Sequence, residues 1–164
     1  MRRSLTANLM PSLSLVISKI GPESDALLRN LCEHYCYDMS EFFEIDTGID
    51  GSYSYDTDSV WAKGHDVYLA KVGHAIAGFA IIGSGDEWGV IGTHDVHEFF
   101  IMRKFRRCGF GQSMATFLWK EHPGEWLVRV LEANALAISF WRTAISRYSL
   151  GSYREDQNVV HGRP

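Results

Sequence analysis

Long apolar runs are absent from this chain: none approaches the about 20 residues that a membrane-spanning helix needs, so we expect no membrane partner. The start, Met1–Thr6, is basic, but the Leu9–Ser12 segment that follows is not the apolar core of a signal peptide, so the sequence predicts no secretory leader. Cysteine is scarce as well. Three cysteines cannot all pair with one another and show no dense spacing, which favours a reducing, cytoplasmic location.

An excess of positive charge is also missing. The 164 residues carry 16 Lys and Arg against 20 Asp and Glu, a formal net charge of −4. This balance argues against nonspecific nucleic-acid binding and for tolerance of a cationic substrate. The apolar fraction of 46% indicates a globular protein, and the length, without internal repeats or low-complexity linkers, predicts a single domain over residues 1–164.

Hydrophobic periodicity predicts alternating strands and helices. The strands are expected at 13–18, 67–72, 75–82, 95–103, 125–131 and 152–155, and the helices at 26–36, 39–43, 113–120 and 135–145. Residues 44–60 have the composition of a loop, and Gly73-His74 predicts a tight hairpin turn. This order predicts an α/β fold around a mixed sheet.

The loop Arg106–Gln112 joins an expected strand to an expected helix. Its geometry would point unpaired backbone N–H groups and the positive end of the helix dipole at one spot, which suits an anion and above all a phosphate. Gly109 and Gly111 would let a ligand approach the backbone closely. The loop lacks the Lys-Ser/Thr of a Walker loop and the three glycines of a dinucleotide fingerprint. An ordinary glycine turn that starts a helix is the alternative.

The pattern Arg106-x-x-Gly109-x-Gly111, with Asn134-x-x-Ala137 downstream, resembles the GNAT superfamily of N-acetyltransferases. The resemblance covers most of residues 13–160. It implies a sheet of about six to seven strands with helices on both faces, and acetyl-CoA as cosubstrate. It also implies that the loop amides hold the pyrophosphate, that the strand before the loop pairs with the pantetheine arm, and that Asn134 contacts the cofactor. For Asn134 a helix N-cap is the alternative. The cofactor residues that it implies are Phe100, Ile101, Arg103, Arg106, Arg107, Cys108, Gly109, Phe110, Gly111, Gln112 and Asn134.

The candidate general base lies on the strand before the loop. Simple alternation places Asp95 and His97 on one face with Phe99 and Ile101, and a histidine oriented by a carboxylate suits deprotonation of an ammonium. The resemblance supports this, since some GNAT enzymes carry His-x-His at these two positions. A hydrogen-bonded structural histidine is the alternative, and Glu98 becomes the candidate if a bulge flips the facing.

Two further roles are less well specified. A backbone N–H near Ile101, supplied by such a bulge, is expected to stabilise the oxyanion. Many GNAT members have a Tyr seven residues after the Asn as proton donor to the leaving thiolate, but this chain has Trp141 there. Since an indole N–H cannot replace a phenol, Tyr148 or water is expected to serve.

The acceptor amine is expected over the first helices and an acidic loop. Carboxylates and aromatic rings there could receive a cation by ion pairing and cation–π contact, although a solvated acidic loop is the plainer interpretation. The residues are Asp46, Asp50, Tyr53, Tyr55, Asp56, Asp58 and Trp61. The segment Tyr37-Asp38-x-Ser40-Glu41-Phe42 resembles a group of small bacterial GNAT proteins, which does not specify a substrate.

Metal binding is not expected. On a helix, Cys32 and Cys36 share a face while His34 points away, and strand alternation separates the acids and histidines of 94–98. Cys108 lies beside two arginines near a helix start, so we expect it to be the most reactive thiol.

The sequence therefore predicts an acetyl-CoA-dependent acyltransferase acting by direct transfer to a primary amine of a small molecule or peptide. Two alternatives stay open: an acyl-CoA-binding sensor with little turnover, and a nucleotide-binding protein that uses the same helix start. The fold implies a seventh strand, and because the chain ends at Pro164, we expect that strand to be missing or to come from a partner, as in a homodimer.

Overall fold

The computed structural model describes residues 14–157. Predictions that fall on residues 1–13 and 158–164, including the basic start, Leu13 of the first strand and the chain end, lie outside the described residues. The chain divides into two units, the first ending at Arg129 and the second beginning at Val130, and each is described by itself. The expectation of a single domain stays a prediction.

The first unit is built on one mixed sheet. Its elements are β1 (Leu15–Ile20), α1 (Asp25–Met39), α2 (Thr57–Ala62), β2 (Asp66–Val72), β3 (Ala75–Ser84), β4 (His94–Ile101), α3 (Phe110–Glu121) and β5 (Trp126–Val128). The strands lie in the order β1-β2-β3-β4-β5, with β1 to β4 antiparallel and β5 parallel to β4. The α/β class and the mixed sheet are confirmed, while the described residues hold five strands where six or seven were expected.

Helices cover both faces of this sheet. On one face, α1 and α2 contribute Leu28, Cys32 and Val60 to a core that includes Phe79 and Ile81 of β3. On the other face, α3 packs against the sheet, and this second core includes Met114, Leu118, Ala80, Ile82 and Ile101. We call these faces the α1 face and the α3 face.

Two local predictions in the first unit are wrong. The second helix expected at 39–43 is absent, because α1 continues to Met39 and the next residues fold back on it, with Phe42 and Phe43 N–H donating to the Met39 carbonyl. A helix was also missed inside the expected loop 44–60. There Asp56 caps α2 by accepting a hydrogen bond from Ser59 N–H at 3.0 Å. The polar residues at the end of the expected loop therefore mark the start of a helix.

The strand expected at 95–103 ends early, at Ile101. Arg103 lies in a 3-10 helix, Arg103–Phe105, so it cannot extend the sheet edge as predicted. The hairpin at Gly73-His74 is present, joining β2 to β3.

β4 contains a bulge. Ile81 of β3 pairs with Glu98 and Ile82 pairs with Val96, so His97 has no partner in β3. An extra residue reverses the alternation of the side chains that follow it. Asp95, opposite Gly83, and Glu98 therefore share the α1 face, whereas Phe99 and Ile101 pack on the α3 face. The prediction that Asp95 shares a face with Phe99 and Ile101 is wrong for this reason.

The second unit contains α4 (Ala135–Ser149), whose start is capped as predicted by Asn134: its Oδ1 accepts a hydrogen bond from Ala137 N–H at 3.0 Å. The final strand expected at 152–155 is wrong, since the described residues after α4 form no strand. The chain leaves the helix through a left-handed turn at Leu150 (φ 54°), and Glu155 pairs with Arg142 of the same helix.

Candidate active site

The start of α3 has the geometry of an anion site. Gly109, its N-cap residue, has φ 79° and carries no side chain that could cap the helix, so the first-turn amides of Phe110, Gly111 and Gln112 have no carbonyl partner within the helix. A Cβ at Gly109 would meet no heavy atom within 4 Å, so the space beside the loop is open. A phosphate group fits this arrangement.

Arg106 does not stand free beside this loop, as the sequence prediction assumed. Its Nη2 donates to Asp38 Oδ2, its Nε donates to the Ile101 carbonyl at 2.7 Å, and its guanidinium lies 5.4 Å from the Phe100 ring centroid. Arg103 donates to the other carboxylate oxygen of Asp38 at 2.6 and 2.8 Å. Both arginines therefore fasten the loop to the end of α1.

Asp38 is held in its ionised form by this clamp. Burial raises the pKa of Asp38, but hydrogen bonds from Arg106 and Arg103 outweigh burial, so the pKa lies below its ordinary value. Arg106, Arg107 and Cys108 are all exposed, and Arg107 has a left-handed backbone, φ 60°. Arg106 is paired with Asp38, whereas Arg107 has no ion pair among the residues that the structure describes.

The sheet edge that leads to the loop is open. β5 pairs with β4 only through His94, Asp95 and Val96, so on this side the rest of β4 has no strand partner in the described sheet. Backbone groups of an extended ligand could pair there, as was expected at Phe100 and Ile101. The Ile101 carbonyl, however, already accepts from Arg106.

A buried ion pair lies where β5 leaves β4. Asp95 is fully buried and accepts two hydrogen bonds from Arg129, at 3.0 and 2.8 Å, and one from the indole of Trp88 at 3.2 Å. The Arg129 guanidinium also stacks on the Trp88 ring, 3.6 Å from its centroid. Burial raises the pKa of Asp95, but interactions with His97 and Arg129 outweigh it and lower the pKa below its ordinary value. Asp95 is therefore a carboxylate at neutral pH.

His97 lies at the bulge beside this pair. Its Nδ1 is 3.7 Å from Asp95 Oδ2, which is within ion-pair distance but too long for a hydrogen bond, and this nitrogen is buried without a hydrogen-bond partner among the described residues. The side chain as a whole is 18% exposed. The predicted neighbours Asp95 and His97 are therefore adjacent, although Arg129 is the main partner of Asp95.

Glu98 lies on the same face but deeper, with 4% of its surface exposed. Tyr55 Oη donates to Glu98 Oε1 at 2.8 Å, and a hydrogen bond from Tyr35 adds to it. Burial raises the pKa of Glu98 above its ordinary value, although both tyrosines oppose the shift. The bulge that the sequence analysis placed near Ile101 lies instead at His97, which brings Glu98 to this face.

A cleft of 460 Å³ opens between α1 and the loop before α2. Its lining residues are Arg29, Asn30, Glu33, Ser52, Ser54, Tyr55 and Asp56. The positive charge of Arg29 is compensated by Asp25 and Asp58, which lie 2.6 and 2.7 Å from it, so the uncompensated charge in the cleft is negative. Tyr55 links this cleft to Glu98.

Only two of the acceptor residues predicted from the acidic loop line this cleft, Tyr55 and Asp56. Asp50 holds the turn at Ser52, and Trp61 donates its indole N–H to Asp25 at 2.7 Å. Asp46, Tyr53 and Asp58 do not line the cleft either. Asp58 accepts a hydrogen bond from Arg29, which does line it.

Asn134 and Tyr148 lie in the second unit, where Asn134 is a helix cap. The expected cofactor contact of Asn134 and the expected proton donation by Tyr148 stay predictions.

Cys32 and Cys36 are buried while His34 is exposed, and between residues 14 and 157 no group of three or more His, Cys, Asp or Glu side chains could hold a metal ion. Within the same residues, no helix is both long and apolar enough to cross a bilayer.

Sequence reasoning missed several residues of the site: Tyr35, Asp38, Trp88 and Arg129. The clearest signal was Arg129, a charged residue inside the apolar run Trp126–Leu131, because a charge in such a run needs a buried partner. The others have no local signal, since their partners are distant along the chain.

These features define an α/β protein in which the fourth of five strands in a mixed sheet leads to a helix start whose free amides suit an anion. No protein-family model matches the chain, and no curated protein matches it in sequence. Solved structures do match its fold. An aminoglycoside N-acetyltransferase, AAC(6')-Iy in complex with CoA, superimposes with a TM-score of 0.63 at 15% identity, covering 92% of this chain and 95% of that one.

Two further structures agree. A possible acetyltransferase from Clostridium difficile 630 has a TM-score of 0.64 at 10% identity and covers 92% of this chain and 97% of its own. A ribosomal-protein-alanine N-acetyltransferase from Brucella melitensis biovar Abortus 2308 has a TM-score of 0.60 at 14% identity, with coverages of 92% and 99%. The chain therefore has the GNAT fold, as its glycine loop implied.

Alkylation should distinguish the three thiols. Cys108 is exposed, whereas burial raises the pKa of Cys36 to about 11 and also raises that of Cys32. Because the thiolate is the nucleophile, we expect iodoacetamide at neutral pH to modify Cys108 at least about tenfold faster than the other two, as measured by peptide mass spectrometry. Urea-unfolded protein is the control, in which all three should react at similar rates. Earlier modification of Cys32 or Cys36 would contradict the assignment.

The Asp95–Arg129 pair should dominate the pH dependence of stability in this region. The pKa of Asp95 is depressed in the folded state. The stabilisation from ionised Asp95 is therefore fully present above the unfolded-state pKa of about 3.9, and it is lost as the pH falls through the folded-state pKa. Arg129→Met leaves a buried carboxylate without its main partner and should cost about 3–5 kcal/mol of unfolding free energy at pH 7.

Without Arg129, burial should raise the Asp95 pKa, so the cost of the substitution should shrink between pH 7 and pH 4.5 in urea unfolding. The control is Arg142→Met, which removes an exposed pair with Glu155 and should change the free energy of unfolding little, since solvent screens such a pair. A cost for Arg129→Met that does not change with pH would show that Asp95 is not the group concerned.

Proposed function

We propose that the protein is an acetyl-CoA-dependent N-acetyltransferase that transfers the acetyl group directly to a primary amine of a small molecule or peptide. The observation that carries the proposal is the course of β4. One strand with an open edge connects the titratable side chains at the His97 bulge to the uncapped amides of α3. Acyl transfer to an amine needs these two parts side by side: a place for the acyl donor and a base for the ammonium.

The proposed donor site consists of the amides of Phe110, Gly111 and Gln112 with the exposed Arg107. Acetyl-CoA would supply the activated acetyl group. The amides and the dipole of α3 would hold its pyrophosphate, and the free edge of β4 would orient the extended arm. The CoA complex of AAC(6')-Iy is consistent with this cosubstrate.

We propose His97 as the general base. Its ring is partly exposed at the bulge, and the adjacent Asp95 carboxylate favours the imidazolium that forms when the acceptor ammonium gives up a proton. Glu98 is the alternative base, but Tyr55 and Tyr35 occupy it and it is nearly inaccessible. In this proposal Glu98 anchors the strand beside His97 through its hydrogen bond with Tyr55.

The proposed acceptor site is the cleft between α1 and the loop before α2. Its serines, Asn30, Glu33 and Asp56 offer hydrogen-bond acceptors and negative charge to a polar, cationic amine. Glu33 also orders the loop by accepting hydrogen bonds from Tyr53 and Ser54 N–H at 2.7 and 3.2 Å. One solved structure with this fold, an aminoglycoside acetyltransferase in complex with sisomicin, carries an amine of this polar type.

Acetyl-CoA binding is the first test. We expect calorimetric titration of the wild-type chain to give micromolar affinity, and Gly109→Trp to abolish it, because a side chain there fills the open space and strains a left-handed position. Arg107→Glu should weaken binding roughly tenfold by placing a negative charge at the anion site. Lys104→Glu, an equal charge reversal at another exposed residue upstream, is the matched control and should change affinity little.

Thermal unfolding of each variant separates lost binding from lost folding. If the folded wild-type chain binds no acetyl-CoA, the acetyltransferase proposal fails, and stronger binding of ATP than of CoA would favour a nucleotide-binding protein. Binding without transfer to any member of a broad amine panel would favour the sensor alternative.

The identity of the base is tested separately. With an amine that turns over, His97→Ala should lower kcat about 10²–10⁴-fold. Glu98→Gln keeps an acceptor for Tyr55 and should lower kcat much less. The reverse ranking of the two variants would assign the base to Glu98 and reject His97.

A further inference from the structure

Three consecutive residues of the loop before α2 are held by carboxylates from two different elements. Tyr53 and Ser54 N–H donate to Glu33 of α1 at 2.7 and 3.2 Å. Tyr55 Oη donates to Glu98 of β4 at 2.8 Å. The segment Tyr53–Tyr55, which we call the strap, therefore joins a helix that lines the acceptor cleft to the strand that carries the candidate base.

The strap is fixed along its length. Ser54 has a left-handed backbone, φ 52°, which a residue with a side chain adopts only where its surroundings hold it there. Its Oγ lies 2.9 Å from Ser52 Oγ on one side, and on the other side Asp56 caps α2. A displacement of Ser54 is therefore passed to Tyr55, the next residue, because the neighbouring contacts leave the chain little freedom to absorb it.

Glu33 is the partner of the strap that faces the cleft. It lines the cleft and has no ion pair with the residues that the structure describes, whereas Arg29 beside it is neutralised by two aspartates. Each Glu33 oxygen uses one lone pair for a strap amide and keeps another. An ammonium that enters the cleft would bind these same oxygens, so it would compete with the two amides and move the strap.

Glu98 is the partner of the strap within the sheet. Its side chain is buried, so it stays with its hydroxyl donors, because losing a hydrogen bond is costly for a buried polar group. Glu98 directly follows His97, which at the bulge pairs with neither β3 nor β5 in the described sheet. A shift of Tyr55 would therefore move Glu98 and turn His97 with it.

We propose that Tyr55 is a positioning residue, which transmits amine binding at Glu33 to the candidate base His97. The inference rests on the proposed function, since it assigns a role to the acceptor cleft of that reaction. When an ammonium binds Glu33, the strap shifts, and the hydrogen bond from Tyr55 to Glu98 carries the shift into β4. The base is then aligned only when an amine is present to give up a proton.

A test without substrate uses the ring signals of His97 in NMR spectra of histidine-labelled protein at one fixed pH, assigned by their loss in His97→Ala. Glu33→Gln imitates the disturbance, because it removes the charge and leaves one acceptor oxygen for two strap amides. We expect this substitution to shift the His97 signals in the wild-type background. In a Tyr55→Phe background, which keeps the ring and lacks the hydroxyl, the shift should disappear.

The matched control is Tyr35→Phe. Tyr35 also donates to Glu98, but it belongs to α1, so this background removes a Glu98 donor and leaves the strap connected. Glu33→Gln should still shift the His97 signals there. Signals that do not move in the wild-type background, or that move equally in the Tyr55→Phe background, would overturn the proposal.

Activity gives a second measurement. With an amine that turns over, Tyr55→Phe should lower kcat roughly tenfold with KM nearly unchanged, because the cleft still binds the amine while the base is misaligned. Tyr35→Phe should lower kcat much less, and equal losses in the two variants would reject the strap, since a missing Glu98 donor would then be sufficient. The NMR shifts decide the role of the strap even if the chain binds no acetyl-CoA, a result that by itself rejects only the proposed function.

Discussion

The bulge at His97 is the constraint on which the candidate site depends. A regular strand would place Asp95 and Glu98 on opposite faces of the sheet, and the extra residue brings both to the α1 face with His97 between them. The same irregularity follows directly after Val96, the last residue of β4 that pairs with β5. Bulges bend and twist the strand that contains them, so this one also accounts for the open edge beyond it. One inserted residue thus gives the strand both its titratable face and its free backbone.

The bulge is held on each side by a buried carboxylate with its own partners. On one side, Arg129 reaches back from the end of β5 to Asp95 and stacks on Trp88. On the other side, Tyr55 fastens Glu98 to the loop before α2. A buried charged or polar group is costly unless it is paired or hydrogen-bonded, so these two contacts are sensitive to substitution and also fix the geometry between them. His97 lies between two anchored positions, which orients its ring without a direct hydrogen bond to Asp95.

Local signals in the sequence were sufficient for much of the fold. The five strands β1 to β5, the helices α1, α3 and α4, the hairpin at Gly73, the glycine at the start of α3 and the Asn134 cap each depend on a few neighbouring residues, and each was predicted. The errors at the candidate site concern interactions that a single sequence does not encode locally. Asp95 and Arg129 are 34 residues apart, and Asp38 and Arg106 are 68 apart. The bulge is also non-local, because a one-residue change of register appears only when β3 and β4 are paired.

The clamp on Arg106 changes how an anion site at α3 should be understood. Asp38 and the Ile101 carbonyl already occupy this guanidinium, so its contribution is to fix the loop before any ligand arrives. A phosphate would then meet amides that are oriented in advance, and ordering them would cost little on binding. The attraction would come from the helix start and from Arg107, whose left-handed backbone turns the chain into Gly109. In this chain Arg106, the arginine of the glycine-loop motif, fixes the position of the loop. The backbone amides that follow the loop at the start of α3 are the groups that can hold the anion.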